Sequence, residues 1–195
     1  MRIRYNAPFT LTFSLVCVVI LAANQYLVPT LIRDWFTVGG RGSFHPNDPA
    51  SYVRLVSYVF GHSNWTHLIG NLMTLILIGP ILEEKYQTAT LLVMVVITAL
   101  ITSIVNVLFF TTALLGASGI VFLMILLVSF TNIRSGEIPL TFVAVLALYL
   151  GQQVFDAFKN DNISQFAHII GGLCGSLFGF LTLRFQDVPP RRVGP

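Results

Sequence analysis

From Tyr86 to Ile133 the chain runs 48 residues without an Asp, Glu, Lys or Arg. Drawn as one helix at about 1.5 Å per residue, that run would extend roughly 72 Å, against a bilayer hydrocarbon core of about 30 Å. It must therefore turn back once. The turn is expected at Thr111-Thr112-Ala113-Leu114-Leu115-Gly116, where small and hydroxyl residues interrupt the aliphatic pattern. Charge-free gaps also separate Arg4 from Arg33, Arg54 from Glu83, Glu137 from Asp156 and Asp161 from Arg184. Only 10% of the 195 residues are charged and 55% are hydrophobic. About 25% charged is usual for a soluble domain, so a soluble globule is excluded. Varied aliphatics and 16 Phe without a short repeat exclude a fibrous or low-complexity chain.

The expected architecture is an all-α, polytopic membrane protein with six transmembrane helices at residues 8–28, 64–82, 88–110, 118–131, 138–155 and 165–185. They form one domain, 1–186, followed by a short basic tail, 187–195. Arg2, Arg4, Lys85, Arg134, Arg184, Arg191 and Arg192 fall on one side, with Arg33, Arg41, Arg54 and Lys159 on the other. Seven against four predicts both termini in the cytoplasm. The first span, with Arg2 and Arg4 before it and Ala22-Ala23 inside it, has a signal-peptide alternative, but its apolar stretch exceeds a typical h-region and favours a retained helix. Cys17 and Cys174 lie in apolar spans and read as packing residues rather than a disulfide or metal pair. The net charge of +3 reflects topology and gives no reason to invoke nucleic acid.

Lipid cannot solvate polar side chains, so those inside spans carry the information. His67, Asn71 and Thr74 recur at i, i+4 and i+7 on one face of the second span, below the polar run from His62. Alone, that stripe reads as interhelical hydrogen bonding, worth about 0.6 to 2 kcal/mol per bond. The fourth span opens Gly116-Ala117-Ser118-Gly119, which alone reads as small-residue packing and lacks the Gly-x-Ser-x-Gly pattern of soluble hydrolases. In the sixth span, Gly171, Gly175 and Gly179 form a groove for a neighbouring backbone, and His168 projects from the same face.

Topology joins these features. Spans two, four and six run in the same direction, and His67, Asn71, Ser118 and His168 each lie near the N-terminal end of one of them. All four therefore share one depth, towards the non-cytoplasmic face. A Ser, a His and further donors at one level make a candidate nucleophile, base and oxyanion site. Imidazole, with a reference pKa of about 6.5, is a suitable base near neutral pH. All eight acids are expected outside the apolar cores, so no carboxylate is placed to orient His168 and a Ser118-His168 dyad is predicted. Phe122, one turn after Ser118, is the candidate aromatic neighbour of the imidazole. Asn71, His67 and the backbone N–H of Ser118 are candidate oxyanion donors.

Gly116-x-Ser118-Gly119, the upstream His67-x-x-x-Asn71 with His62 five residues earlier, and Ala167-His168 before the glycine ladder closely resemble the rhomboid intramembrane serine proteases. The resemblance spans residues 8–185 in order and spacing. It implies a six-helix bundle that cleaves peptide bonds in or near transmembrane segments of other proteins, without metal or nucleotide cofactor, in the bacterial inner membrane. By position Ser118 resembles the nucleophile, His168 its base, Asn71 and His67 the oxyanion residues, and His62 a structural histidine; Gly116, Gly119, Phe122 and Gly171 are supporting positions. Phe122 stands where Tyr is frequent, keeping the stacking surface but not the hydroxyl. Val53-Arg54 replaces a frequent Trp-Arg, and Glu83-Glu84-Lys85 replaces Glu-x-Arg. The loop 29–53 resembles the family's membrane-embedded first loop. By the same resemblance, substrate would pass sideways between spans two and five, under a cap near 156–164, with Gly151-Gln152-Gln153 loosening that gate.

Three other readings make different demands. A transporter needs polar continuity across the membrane or repeat symmetry, whereas polarity here gathers towards one face and only Asn106 stands apart. A non-catalytic member of the fold has no need of both Ser118 and His168. A zinc hydrolase built on His62, His67 and His168 lacks the His-Glu-x-x-His spacing.

Overall fold

The computed structural model describes residues 5–130, 140, 143–144, 147–148, 151 and 165–186. Among these residues the regular structure is helical, apart from one antiparallel bridge between Val38 and Leu114. Helix α1 spans Pro8–Tyr26, α2 Leu31–Trp35 and α3 Pro49–Ser57, followed by a single 3₁₀ turn, Tyr58–Phe60. Helices α4 and α5, Trp65–Tyr86 and Thr88–Phe109, are joined by Gln87 alone, which takes φ 67°. Helix α6 spans Ser118–Ser129 and α7 spans Gln165–Gln186. The reversal expected at 111–116 is the non-helical connection between α5 and α6. The expected fifth span lies mostly outside the described residues; 140, 143–144, 147–148 and 151 are helical. The cap near 156–164 and the tail also lie outside the described residues.

Helix starts follow local chemistry. Pro8 and Pro49 occupy the first turns of α1 and α3, where a missing N–H costs nothing. Asp48 caps α3 by accepting the Ala50 N–H at 3.0 Å, and Asn64 caps α4 by accepting the His67 N–H at 2.9 Å. Helices α1, α4 and α5 are long and apolar enough to cross a membrane; α6 and the Phe166–Thr182 part of α7 are shorter apolar helices. Exposed faces carry Ile69, Met73 and Leu77 on α4 and Val93, Ile97, Ile104 and Leu108 on α5. Such faces need lipid rather than water.

Helix α6 is the buried centre, with Leu123, Met124, Leu126 and Leu127 closed off from solvent. A helix apolar all round belongs in the interior. Against it lies α7, brought close by its glycines. A methyl at Gly171 would overlap the Gly119 carbonyl, one at Gly175 the Leu123 carbonyl, and one at Gly179 the Phe130 ring. The groove anticipated in the sixth span is thus filled by α6. Cys17 and Cys174 are free and buried in this core.

The first loop is built rather than slack. Arg54 donates from Nε to the Asp34 carbonyl at 2.7 Å and pairs with Asp48 at 3.3 Å, tying α2 to the cap of α3. Val38 and Leu114 exchange backbone bonds at 2.9 and 2.8 Å, and the Arg41 N–H reaches the Phe110 carbonyl at 2.6 Å. Asn106, wholly buried, donates from Nδ2 to the carbonyls of Gly39 at 3.0 Å and Thr112 at 3.2 Å. The polar residue that stood apart in α5 therefore ties together two loops.

One expectation is overturned. The acids do not all lie outside the core: Glu83 is buried in the last turns of α4. Its Oε1 accepts the Phe9 N–H at 2.8 Å and the Thr88 hydroxyl at 2.6 Å, while Oε2 accepts the N–H and hydroxyl of Thr10, each at 3.1 Å. The carboxylate supplies acceptors to the open first turn of α1, whose own cap position, Ala7, has no side-chain acceptor. Gly79 lets the two helices meet there, since a Cβ would fall 3.1 Å from the Thr10 Cβ. Glu83→Ala is expected to lower stability by about 3 kcal/mol, because buried donors lose a charged acceptor. Thermal unfolding in detergent measures this; an unchanged midpoint contradicts the trans-capping role.

Candidate active site

Ser118 is the first residue of α6, preceded by Ala117, which has no side chain able to cap the helix. The N–H groups of that first turn therefore point towards a site for negative charge. Gly119 faces α7 so closely that a Cβ there would lie 3.1 Å from the Ala167 carbonyl oxygen. Ser118 and His168 are the immediate neighbours of the two residues in that contact. The Phe122 ring lies flat on the His168 imidazole, centroids 4.3 Å apart and planes 3° from parallel. Ser118 and Phe122 are four residues apart on α6 and share a face, so the imidazole rests over the side that carries Ser118. Both Ser118 and His168 are half-buried.

A second group enters from α4 and the loop before it. Gly116 adopts φ 109°, a backbone state that favours glycine, and a Cβ there would fall 2.7 Å from Cε1 and 2.8 Å from Nε2 of His67. The ring of His67 thus lies against the loop two residues before Ser118. Its Nδ1 is 3.2 Å from the Ser63 hydroxyl. His62 meets His67 edge to face with centroids 5.0 Å apart, and its Nε2 is 3.1 Å from Asn71 Nδ2. Burial, and next the neighbouring His67, push the His62 imidazole down to about 4, opposed in part by its bond to the Phe60 carbonyl. It is neutral at physiological pH.

The structure thus forms two groups, Ser118 with Phe122 and His168, and His62 with His67 and Asn71. Gly116 lies between them, against the His67 ring and two residues before Ser118. Gly171 supports the first group by admitting the Gly119 backbone. Three contributors went unread in sequence. The Tyr58 carbonyl accepts the Gly116 N–H at 2.9 Å, a backbone role that no side-chain pattern reveals. Ser63 holds Nδ1 of His67. The bond between His62 and Asn71 joins the loop to α4 and is not implied by helical spacing. Glu83 stands at the far end of α4 from Asn71, so its burial supplies no orienting carboxylate here. Among the described residues no cluster of His, Cys, Asp or Glu is arranged to hold a metal ion.

The profile of the Rhomboid domain matches residues 49–185. The chain belongs to the rhomboid family. The match takes in α3 through α7, hence both groups of the site. This rhomboid is 27% identical over 184 residues to Rhomboid protease GlpG of Yersinia enterocolitica serotype O:8 / biotype 1B, covering 91% of the chain and 63% of that protein. It is 26% identical, with the same coverage, to Rhomboid protease GlpG of Yersinia pestis (strain Pestoides F). The chain therefore spans 63% of the length of these relatives. Family and apolar helices together make it an integral membrane protein.

Proposed function

We propose that this rhomboid is an intramembrane serine endopeptidase that hydrolyses peptide bonds in or near transmembrane segments of other membrane proteins. The observation that carries the reading is the stack of Phe122 on His168, which lays an imidazole over the face of α6 that begins with Ser118. Oγ of Ser118 attacks the scissile carbonyl carbon while His168 takes its proton. The tetrahedral oxyanion meets the Ser118 N–H at the uncapped start of α6, together with His67 and the Asn71 amide. His168 returns the proton to the departing amine, then activates the water that releases the acyl group. Stacking and helix packing orient the imidazole, the task given to a carboxylate in a triad. The chemistry runs without a metal.

The same reading sets six spans across the bacterial inner membrane, both termini in the cytoplasm and the site towards the outer face. Ile69, Met73 and Leu77 give α4 an apolar face along which a substrate helix can approach from lipid. Purified protein in liposomes with a fluorescent transmembrane reporter tests the reading. Cleavage is expected to fall by at least about 1000-fold in His168→Ala, the scale of losing one member of such a unit. A chelator is expected to leave cleavage unchanged. Full cleavage by His168→Ala overturns the dyad, and loss of cleavage on chelation overturns it in favour of the zinc alternative.

A further inference from the structure

We propose that His62 is a positioning residue: held as the neutral tautomer protonated on Nδ1, it dictates which way the Asn71 carboxamide faces and keeps an N–H towards the oxyanion. This rests on the oxyanion role given to Asn71 above. His62 Nδ1 lies 3.2 Å from the Phe60 carbonyl oxygen. A carbonyl only accepts, so Nδ1 carries the proton. Nε2 of a neutral ring is then a bare lone pair, and it faces Asn71 Nδ2 at 3.1 Å, a donor. The two contacts specify one tautomer. Turning the carboxamide over would set Oδ1 against Nε2, two acceptors in a pocket where His62 is wholly enclosed. His62 thus selects one of two nearly isosteric amide orientations. One Nδ2 proton of Asn71 goes to His62, and the other remains for the substrate oxygen.

Protonating Nε2 would reverse the selection, setting donor against donor and favouring Oδ1 in the place of Nδ2. Two features keep the ring neutral. Its enclosure disfavours charge, and His67, the titratable group in ring contact with it from α4, would repel a second proton. The 3₁₀ turn contributes the Phe60 carbonyl to this contact. Asn71 adds no charge.

The test pairs a spectroscopic signature with kinetics on the full chain. NMR of ring-nitrogen-labelled histidine in detergent, with His62→Gln to assign the signal, is expected to show an Nδ1–H tautomer for His62. Gln can accept from Asn71 and donate to Phe60, so His62→Gln should retain most of the turnover. His62→Leu keeps bulk but neither bond, and should lower kcat by about 100-fold at unchanged KM, the scale of one lost oxyanion donor. In an Asn71→Ala background, His62→Leu should add no further loss. An Nε2–H tautomer, equal losses in Gln and Leu, or a fully additive loss in that background overturns the positioning role. The tautomer is read without catalysis, which separates the two failures. An Nδ1–H signal with full turnover in Asn71→Ala overturns the oxyanion reading and, with it, the catalytic consequence of His62. An Nε2–H signal with turnover lost in Asn71→Ala overturns the positioning role alone.

Discussion

Ser118→Ala is expected to remove peptide-bond cleavage in the membrane, lowering kcat by at least about 10⁴-fold, because only oxyanion and binding contributions survive loss of the nucleophile. The fold should be untouched. Ser118 is half-buried at the start of α6, whose packing comes from Ile120, Leu123, Met124 and Leu127. Stability and chemistry therefore separate in this variant, which a merely structural serine would not allow. Turnover of a transmembrane reporter in liposomes, read beside the thermal midpoint in detergent, checks both halves. A loss smaller than about tenfold, equivalent to about 1.4 kcal/mol, is incompatible with nucleophilic catalysis by this residue.

The second large effect belongs to Gly171→Val. At Gly171 the backbones of α6 and α7 touch, and any Cβ would overlap the Gly119 carbonyl oxygen. The helices must separate, at a cost of about 1 to 3 kcal/mol for overpacking. Catalysis should suffer more than stability, because His168 lies three residues before Gly171 and Ser118 directly before Gly119. A misplacement of about 1 Å between reacting groups costs on the order of 100-fold. Gly70 on α4 supplies the contrast, since a Cβ there meets nothing within 4 Å. Gly70→Ala should therefore keep activity and fold, relieving the backbone entropy that glycine costs a helix. Full activity in Gly171→Val contradicts the close helix contact.

How far these features could be read from sequence depended on whether their causes were local. Missing charges located α1, α4, α5, α6 and α7 to within a few residues, because hydrocarbon imposes the same demand at every position of a span. The glycine ladder announced a close partner for α7, and the i, i+4 relation of Ser118 and Phe122 set an aromatic ring beside the serine. Glu83 was misplaced for a physical reason. A charge at a helix end reads as solvated, and what buries this one is the first turn of α1, more than 70 residues away. The loop 29–53 concealed α2 and α3, whose order comes from distant partners such as the Asp34 carbonyl and Leu114. Nor could periodicity show that His62 and Asn71 share a bond, since one lies in a loop and the other in a helix.

The central claim is that Ser118 is a nucleophile activated by His168. Labelling the purified protein in detergent with a fluorophosphonate probe, then mapping the adduct by mass spectrometry, tests it most directly. The expected result is one adduct, on Ser118, absent from Ser118→Ala and strongly diminished in His168→Ala. Equal labelling of all three proteins, or an adduct on another serine, would contradict it.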